Sequence, residues 1–218
     1  MKVNLHFIYI ILLLAGLMTV GCISAKGPLA ATPSAPLRER LPAVEIAADP
    51  GPLATSDGIL PDDPLRLLRN ELQHNVADPT DSATYGYVRL VVTHASARRL
   101  QRGFQAVQMV LLLTPTLLGV PLETYQTDVT AELQVSDAQG QLLGTYVGSG
   151  RGRAQVAMYY GYAQSSAPRL ADVLALREAL VHIRPQLDTA VGRLRPLLLA
   201  HGPVDNPTLP SAATRVRR

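Results

Sequence analysis

Between Thr124 and Ser136 the chain alternates strictly between two kinds of residue. The even positions are polar and the odd positions are apolar or small. The odd set is Tyr125, Thr127, Val129, Ala131, Leu133 and Val135. Successive side chains of a strand point to opposite faces of a sheet, so this period places one face on a core and the other in water. The alternation predicts a β-strand in a sheet that is covered on one face.

Three further segments have the composition of strands. Residues 85–93 are rich in β-branched and aromatic side chains. After residue 136, an Asp-x-x-Gly sequence at 137–140 predicts a turn in which glycine supplies a positive φ. Strands are then expected at 142–147 and 153–160. We interpret the glycine-rich segment 148–152 between them as a hairpin turn, because no Gly-Lys-Ser/Thr follows to make a phosphate loop.

Two helical regions flank the predicted strands. Asp63-Pro64 opens the first, since Asp can cap a helix and Pro is tolerated in its first turn. The second opens at 166–168, and Pro185 should kink or interrupt it. Hairpin connections dominate between the two regions. The order predicts an α+β domain of two layers, an antiparallel or mixed sheet with helices packed on one face.

The chain has a single cysteine, Cys22, among its 218 residues. One cysteine excludes an intrachain disulfide framework and a multi-cysteine metal site. Upstream of Cys22 lie Lys2, an apolar run at 7–15 and the small residue Gly21. A basic start, a short apolar run and small residues before a cut site are typical of a secretory signal peptide.

Val20-Gly21-Cys22 resembles the lipobox of bacterial lipoproteins, although Thr19 stands where that family prefers an aliphatic residue. The resemblance implies that the Cys22 thiol carries diacylglycerol, that cleavage precedes Cys22, and that a fatty acid such as palmitate acylates the new amine. The expected partner is then membrane lipid, bound through acylated Cys22. Ile23 follows where Asp would retain many such proteins in the inner membrane, so the resemblance favours the outer membrane, facing the periplasm, over the inner membrane or the cell surface.

Composition divides the chain into four parts. Residues 1–21 are the expected signal peptide, and 22–61 are the lipidated cysteine with a Pro-rich tether. Residues 62–200 are the expected α+β domain. A basic, Pro-containing tail at 201–218 is expected to be disordered.

Residues 104–122 form an apolar segment that is interrupted by proline and glycine. We favour a buried strand followed by an apolar loop. A loop that dips into a membrane or docks a partner is the alternative, because exposed apolar patches mark binding surfaces. A transmembrane helix is the third interpretation. The side chains that such a docking loop would offer are Met109, Leu112, Leu113, Leu117 and Leu118.

Five arginines lie near predicted strand ends, namely Arg98, Arg99, Arg102, Arg151 and Arg153. If those ends meet, the guanidinium groups would form a patch for anionic headgroups or glycan carboxylates. Solvated surface charge is the simpler interpretation. A formal charge of +3 and the expected location outside the cytoplasm speak against nucleic acid as a partner.

The sequence contains few of the residue patterns that are typical of catalytic sites. The histidines have no His-x-x-x-His spacing and no Gly-x-Ser-x-Gly occurs, so we expect no enzyme activity, no metal and no cofactor. A carboxylate pair drawn from Glu123, Asp128 or Glu132 stays open, although we expect those side chains on the solvent side of their strand.

Several segments together resemble a loose class of Gram-negative lipoproteins, particularly of Bacteroidota. They are the run 112–121, the strand with Tyr125, the Asp-x-x-Gly turn and the stretch 158–162 before the last helix. The resemblance spans about residues 84–195 and implies a location and a fold type, but no activity.

Together these features predict a lipid-anchored cell-envelope protein that acts as a non-enzymatic binding or assembly module. Its partner would be another envelope protein, peptidoglycan or lipid. A structural spacer lipoprotein is the alternative, followed by an unrecognised hydrolase.

Overall fold

The computed structural model describes residues 25, 27, 36–78, 83–100, 120–157 and 161–204. Within them lie strands β1 (Glu45–Asp49), β2 (Gly86–Leu100), β3 (Glu123–Asp137) and β4 (Leu142–Val156). The helices are α1 (Asp63–Glu71) and α2 (Ala167–Ala200). A 3-10 turn at Gly51–Thr55 and a π turn at Leu72–Val76 flank α1.

The strands form one mixed sheet in the order β1-β2-β3-β4. β1 pairs with β2 in parallel, and the other neighbours are antiparallel. α1 lies in the crossover between β1 and β2, where a parallel pair requires a long connection. Leu68 of α1 and Leu176 of α2 belong to the same core cluster as Leu90 and Leu133 of the sheet. The predicted α+β fold with helices on one face of the sheet is confirmed.

β3 has one buried face and one partly exposed face over most of its length, as its alternation predicts. Every odd position from Tyr125 to Val135 is buried, and the even positions from Asp128 to Ser136 are partly exposed. The register places Leu133 opposite Leu90 of β2 and Tyr146 of β4, so the buried face continues across three strands. The turn after β3 also forms as expected, with Gly140 at φ 80°.

The glycine-rich segment of β4 is part of the strand, so the predicted hairpin turn at 148–152 is wrong. Gly148, Gly150 and Gly152 alternate along the face that packs on α2. A Cβ at these positions would overlap backbone atoms of α2 residues, respectively Ala179, Ala175 and Ala171. Glycine on the strand and alanine at every fourth helix position bring the two backbones together, which is a recognised use of glycine within strands.

The outer edge of β4 is covered by side chains of α2. Gln186 Nε2 donates to the Val147 carbonyl at 2.6 Å, and His182 Nδ1 lies 2.5 Å from the Ser149 carbonyl. The Arg151 amide donates to Glu178 Oε2 at 2.6 Å. These helix residues are four apart and therefore share one face. They satisfy edge groups that would otherwise pair with another chain.

Residues 36–61 belong to the packed domain, so the predicted tether is wrong for that part of 22–61. They contain β1, and Leu37, Leu41 and Leu53 are buried in the main core. Proline occurs on either side of β1, at Pro42 and Pro50, but not within it. Proline is tolerated just outside a strand because no ladder N–H is needed there. The apolar residues between the prolines therefore drive this segment into the core.

The remaining boundaries are mostly close to expectation. α1 begins at Asp63 and α2 at Ala167, as the Asp-Pro and Ser-Ala-Pro sequences predicted. β2 runs to Leu100 rather than to residue 93, so Arg98 and Arg99 lie within the strand. α2 continues through Pro185, which is exposed and does not interrupt the helix.

Two ion pairs join α1 to α2. Arg169 binds Asp63 through Nε at 2.8 Å and Nη2 at 2.7 Å. At the other end of α1, Arg184 binds the buried Glu71 carboxylate, which also accepts a hydrogen bond from Asn75 at 3.0 Å. Asp63 therefore acts in an interhelix pair, and its side chain does not cap the helix.

Several predictions lie outside the described residues. These are the signal peptide with Cys22, Arg102, most of the apolar segment with its side chains Met109 to Leu118, and residues 205–218 of the tail. Residues 201–204 are described, and the Val204 amide donates to the Thr84 carbonyl at 2.7 Å. Neither helix of the described part combines the length and hydropathy needed to cross a membrane.

Candidate binding face

The face of the sheet opposite the helices is lined by polar side chains. Gln126 of β3 pairs in register with Arg98 of β2 and with Arg153 of β4. The next row along β3 joins Ser96, Asp128 and Arg151 in the same way. Side chains directly opposite on neighbouring strands lie within interaction distance. Two rows of hydrogen-bonding groups therefore cross this face.

The row Arg98–Gln126–Arg153, called the basic row below, carries two exposed guanidinium groups. Arg153 Nε donates to Gln126 Oε1 at 2.8 Å, and Arg98 Nε donates to Ser96 Oγ at 3.3 Å. Among the described residues, neither arginine forms an ion pair with a carboxylate. Both guanidinium groups are therefore exposed and outside any described ion pair, while the Arg98 charge is close enough to Asp128 to help lower its pKa.

Asp128 and Arg151 form an ion pair beside the basic row. Arg151 Nε donates to Asp128 Oδ1 at 2.5 Å, and Gln126 donates to Asp128 Oδ2 at 3.1 Å. The hydrogen bond from Arg151 lowers the pKa of Asp128, with a smaller contribution from Gln126. Asp128 consequently keeps its negative charge at neutral pH.

The predicted arginine patch is realised in part. Arg98, Arg151 and Arg153 share the polar face, whereas Arg99 lies on the helix-facing side and Arg102 is outside the described residues. Arg99 lies 5.2 Å from the centroid of the Tyr125 ring and 3.7 Å from Asp57. Arg98 and Arg99 separate because adjacent residues of a strand point to opposite faces.

A concavity of about 390 Å³ adjoins the basic row and extends to the β4 edge. We call it the polar concavity. Its side chains come from three strands and from α2: His94, Asp128, Thr130, Ser149, Arg151, Glu178 and His182. The edge contacts between α2 and β4 hold Glu178 and His182 at its rim.

A second, smaller pocket of about 100 Å³ lies on the helix side, near Arg99. At its base the buried Asp172 carboxylate accepts hydrogen bonds from Ser56 Oγ at 2.5 Å and Thr127 Oγ1 at 2.6 Å. Burial raises the pKa of Asp172, and these hydroxyls with the Ile59 amide oppose that rise. Because both of its oxygens are engaged, Asp172 ties the 3-10 turn to β3 and α2.

Tyr125 and Glu123 form a buried pair next to this pocket. Tyr125 donates its hydroxyl to Glu123 Oε2 at 2.6 Å. Burial and the Glu123 contact raise the pKa of the Tyr125 hydroxyl. The expectation that Glu123 faces solvent is wrong. Its odd position in β3 places it on the same side as Tyr125, where it is buried. Asp128 and Glu132 are partly exposed, as expected.

We compared the chain with known proteins. No protein-family model and no curated protein matches it.

The described residues contain no group of three or more His, Cys, Asp or Glu side chains able to hold a metal ion.

Two patterns in the sequence mark parts of this geometry. Asp172 interrupts an apolar stretch, Leu170 to Leu174, and an acid in such a position marks a buried polar contact. Glu178, His182 and Gln186 recur at intervals of four, which places them on one helix face. The polar concavity itself depends on the register of β4 against β3, which no local sequence pattern specifies.

Proposed function

We propose that this protein is a lipid-anchored component of the cell envelope whose domain is a non-enzymatic binding module. The observation that carries the proposal is the basic row, in which Arg98 and Arg153 lie exposed on one face without a carboxylate partner among the described residues. The polar concavity beside it supplies further hydrogen-bonding groups. A polar face of this kind suits recognition of an anionic partner.

The anchor is Cys22, which the lipobox-like sequence supports. One acyl chain binds a membrane only marginally, whereas two or three hold a protein stably. With residues 36–61 packed in the domain, the link between anchor and domain shortens to residues 23–35. Fully extended, that link reaches at most about 45 Å. The binding face would therefore work close to the membrane, on the periplasmic side of the outer membrane.

The experiment is photo-crosslinking in intact cells. A photoreactive residue replaces Ser149, on the polar face, or Arg66, on the exposed surface of α1. We expect a discrete adduct with an envelope component from position 149 and none from position 66. Equal labelling from both positions, or none from either, would contradict a binding face and favour a spacer role.

Enzyme activity is tested separately. The hydrolase alternative would draw on the pocket at Asp172, whose oxygens are already engaged by Ser56 and Thr127. Replacing Ser56 with Ala would abolish a hydrolytic activity, and it would leave crosslinking from position 149 unchanged if the protein is a binding module.

A further inference from the structure

We propose that the polar concavity and the basic row together bind a carboxylated saccharide. This inference rests on the proposed binding function and names the ligand class of the same face. The concavity would hold the hydroxyl-bearing ring, and the basic row would hold the carboxylate.

The size and chemistry of the concavity fit a polyhydroxylated ligand. Its volume of about 390 Å³ lies in the range of about 300–1,000 Å³ that is typical of small-molecule sites. Asp128 and Glu178 offer acceptors, Arg151 offers donors, and Thr130 and Ser149 carry hydroxyls that can do either. A sugar presents donors and acceptors in every direction, so this mixed set matches it.

The charges indicate a carboxylate at one end of the ligand. Arg98 and Arg153 occupy the two strands on either side of Gln126, immediately next to the row that contains Asp128. A guanidinium group binds a carboxylate through two parallel hydrogen bonds. The ring and its acidic group would therefore occupy neighbouring rows of the sheet.

The same arrangement decides which part of the ligand can enter the concavity. The Arg151 contact lowers the pKa of Asp128, so its carboxylate stays charged beside the concavity, and Glu178 lies at the rim. Two carboxylates repel any anionic group inside the concavity, including the ligand's own carboxylate, yet they accept hydrogen bonds from sugar hydroxyls. The acidic group therefore belongs at the basic row and the hydroxyls belong in the concavity. A flat lipid surface could reach the basic row, but its headgroups would not be selected by the groups inside the concavity.

The test is isothermal titration of the full chain with two trimers of the same length. One is uncharged galactotriose, and the other is an acidic trimer in which a single terminal galactose is oxidised to galacturonate. We expect the acidic trimer to bind at least tenfold more tightly than galactotriose. The double variant Arg98→Gln/Arg153→Gln should remove that preference. The double variant Thr130→Val/Ser149→Ala should weaken both trimers, because it deletes hydroxyls of the concavity and keeps the charge.

The control variant is Arg66→Gln/Arg69→Gln, which removes the same charge from the exposed surface of α1 and should bind both trimers as the wild type does. Equal affinity for the two trimers would overturn the assignment of the carboxylate to the basic row. Binding to phosphatidylglycerol vesicles without binding to the acidic trimer would identify the face as a lipid site and also overturn the inference. If neither ligand binds while position 149 still crosslinks in cells, the saccharide inference fails and the binding function stands.

Discussion

Gly152 of β4 lies directly against Ala171 of α2, so closely that a Cβ on Gly152 would overlap the Ala171 carbonyl oxygen. The same relation recurs one helical turn on, between Gly150 and Ala175. This close approach lets the side chains of Glu178 and His182 reach past the strand to its edge. The polar concavity therefore depends on the glycine–alanine contact.

Replacing Gly152 with Ala should destabilise the domain. The added methyl group would force β4 and α2 apart, and overpacking of this kind typically costs about 1–3 kcal/mol. Urea unfolding should report a lower midpoint with an unchanged dependence on urea concentration.

The control for that substitution is Gly192→Ala, in the exposed part of the same helix. A Cβ at Gly192 meets nothing closer than 3.9 Å, and alanine favours a helix over glycine by about 1 kcal/mol. Gly192→Ala should therefore stabilise the domain. If both substitutions had the same effect on the midpoint, the close contact at Gly152 would not be the cause.

The alternation in β3 predicted its buried face correctly because burial of one face imposes a period of two. The glycine segment of β4 predicted a turn because glycine is common in turns. Glycine also occurs within strands where another backbone packs closely, and that packing can be recognised only when the partner helix is known. The alanines that complete the contact lie far along the chain, at Ala171 and Ala175. The sequence of β4 alone therefore does not indicate that these alanines pack against it.

Asp172→Ala should destabilise the domain by about 2–4 kcal/mol. It would leave the Ser56 and Thr127 hydroxyls without their acceptor in a buried site, and such groups cost about 1–3 kcal/mol each. The matched substitution Asp172→Asn should cost less, because the amide oxygen still accepts and the Ser56 hydroxyl can turn to accept from the amide nitrogen. A larger loss in the Asn variant than in the Ala variant would contradict this account.

The raised pKa of Asp172 also predicts a pH dependence. Burial makes its carboxylate harder to ionise in the folded state than in the unfolded state. The unfolded chain then releases this proton first, so stability falls as pH rises from the ordinary aspartate pKa through the folded value. As pH rises above the ordinary aspartate pKa of about 4, the free energy of unfolding of the wild type should decline relative to Asp172→Asn. A constant difference between the two proteins would refute the assignment.

Arg184→Ala should destabilise the domain by more than about 1 kcal/mol, because it removes the ion pair of the buried Glu71 carboxylate and leaves only the Asn75 amide and the nearby Arg177 charge to compensate it. The comparison is Arg89→Ala, which breaks the half-exposed pair with Asp49 at 3.0 Å. Exposed pairs contribute at most about 1 kcal/mol. Thermal unfolding of the two variants should rank them in that order, and equal losses would mean that burial does not decide the strength of these pairs.

Cys22→Ala tests the anchor. The lipobox-like sequence implies lipid on the Cys22 thiol, so the variant should accumulate without a lipid label and leave the membrane fraction or stay unprocessed. Metabolic labelling with a palmitate analogue, followed by cell fractionation, reports both effects. Continued labelling of the variant would contradict lipidation at Cys22.

The arginine patch illustrates how far residue patterns alone could lead. Strand alternation separates Arg98 from Arg99, and that could have been foreseen once both were placed in the same strand. The placement of Arg98 and Arg153 on either side of Gln126 depends on the register of β2 and β4 against β3, which is set by packing across the whole sheet. Such nonlocal pairing cannot be predicted from the sequence of either strand alone.

The most direct test of the binding module is the yield of the crosslink from position 149 in intact cells, with and without the substitutions Arg98→Gln and Arg153→Gln. The protein must be present at the same level and in the same membrane fraction in both cases. We expect the adduct to fall at least tenfold when the two arginines are replaced. An unchanged yield would show that the basic row does not engage the partner and would contradict the proposed function of this face.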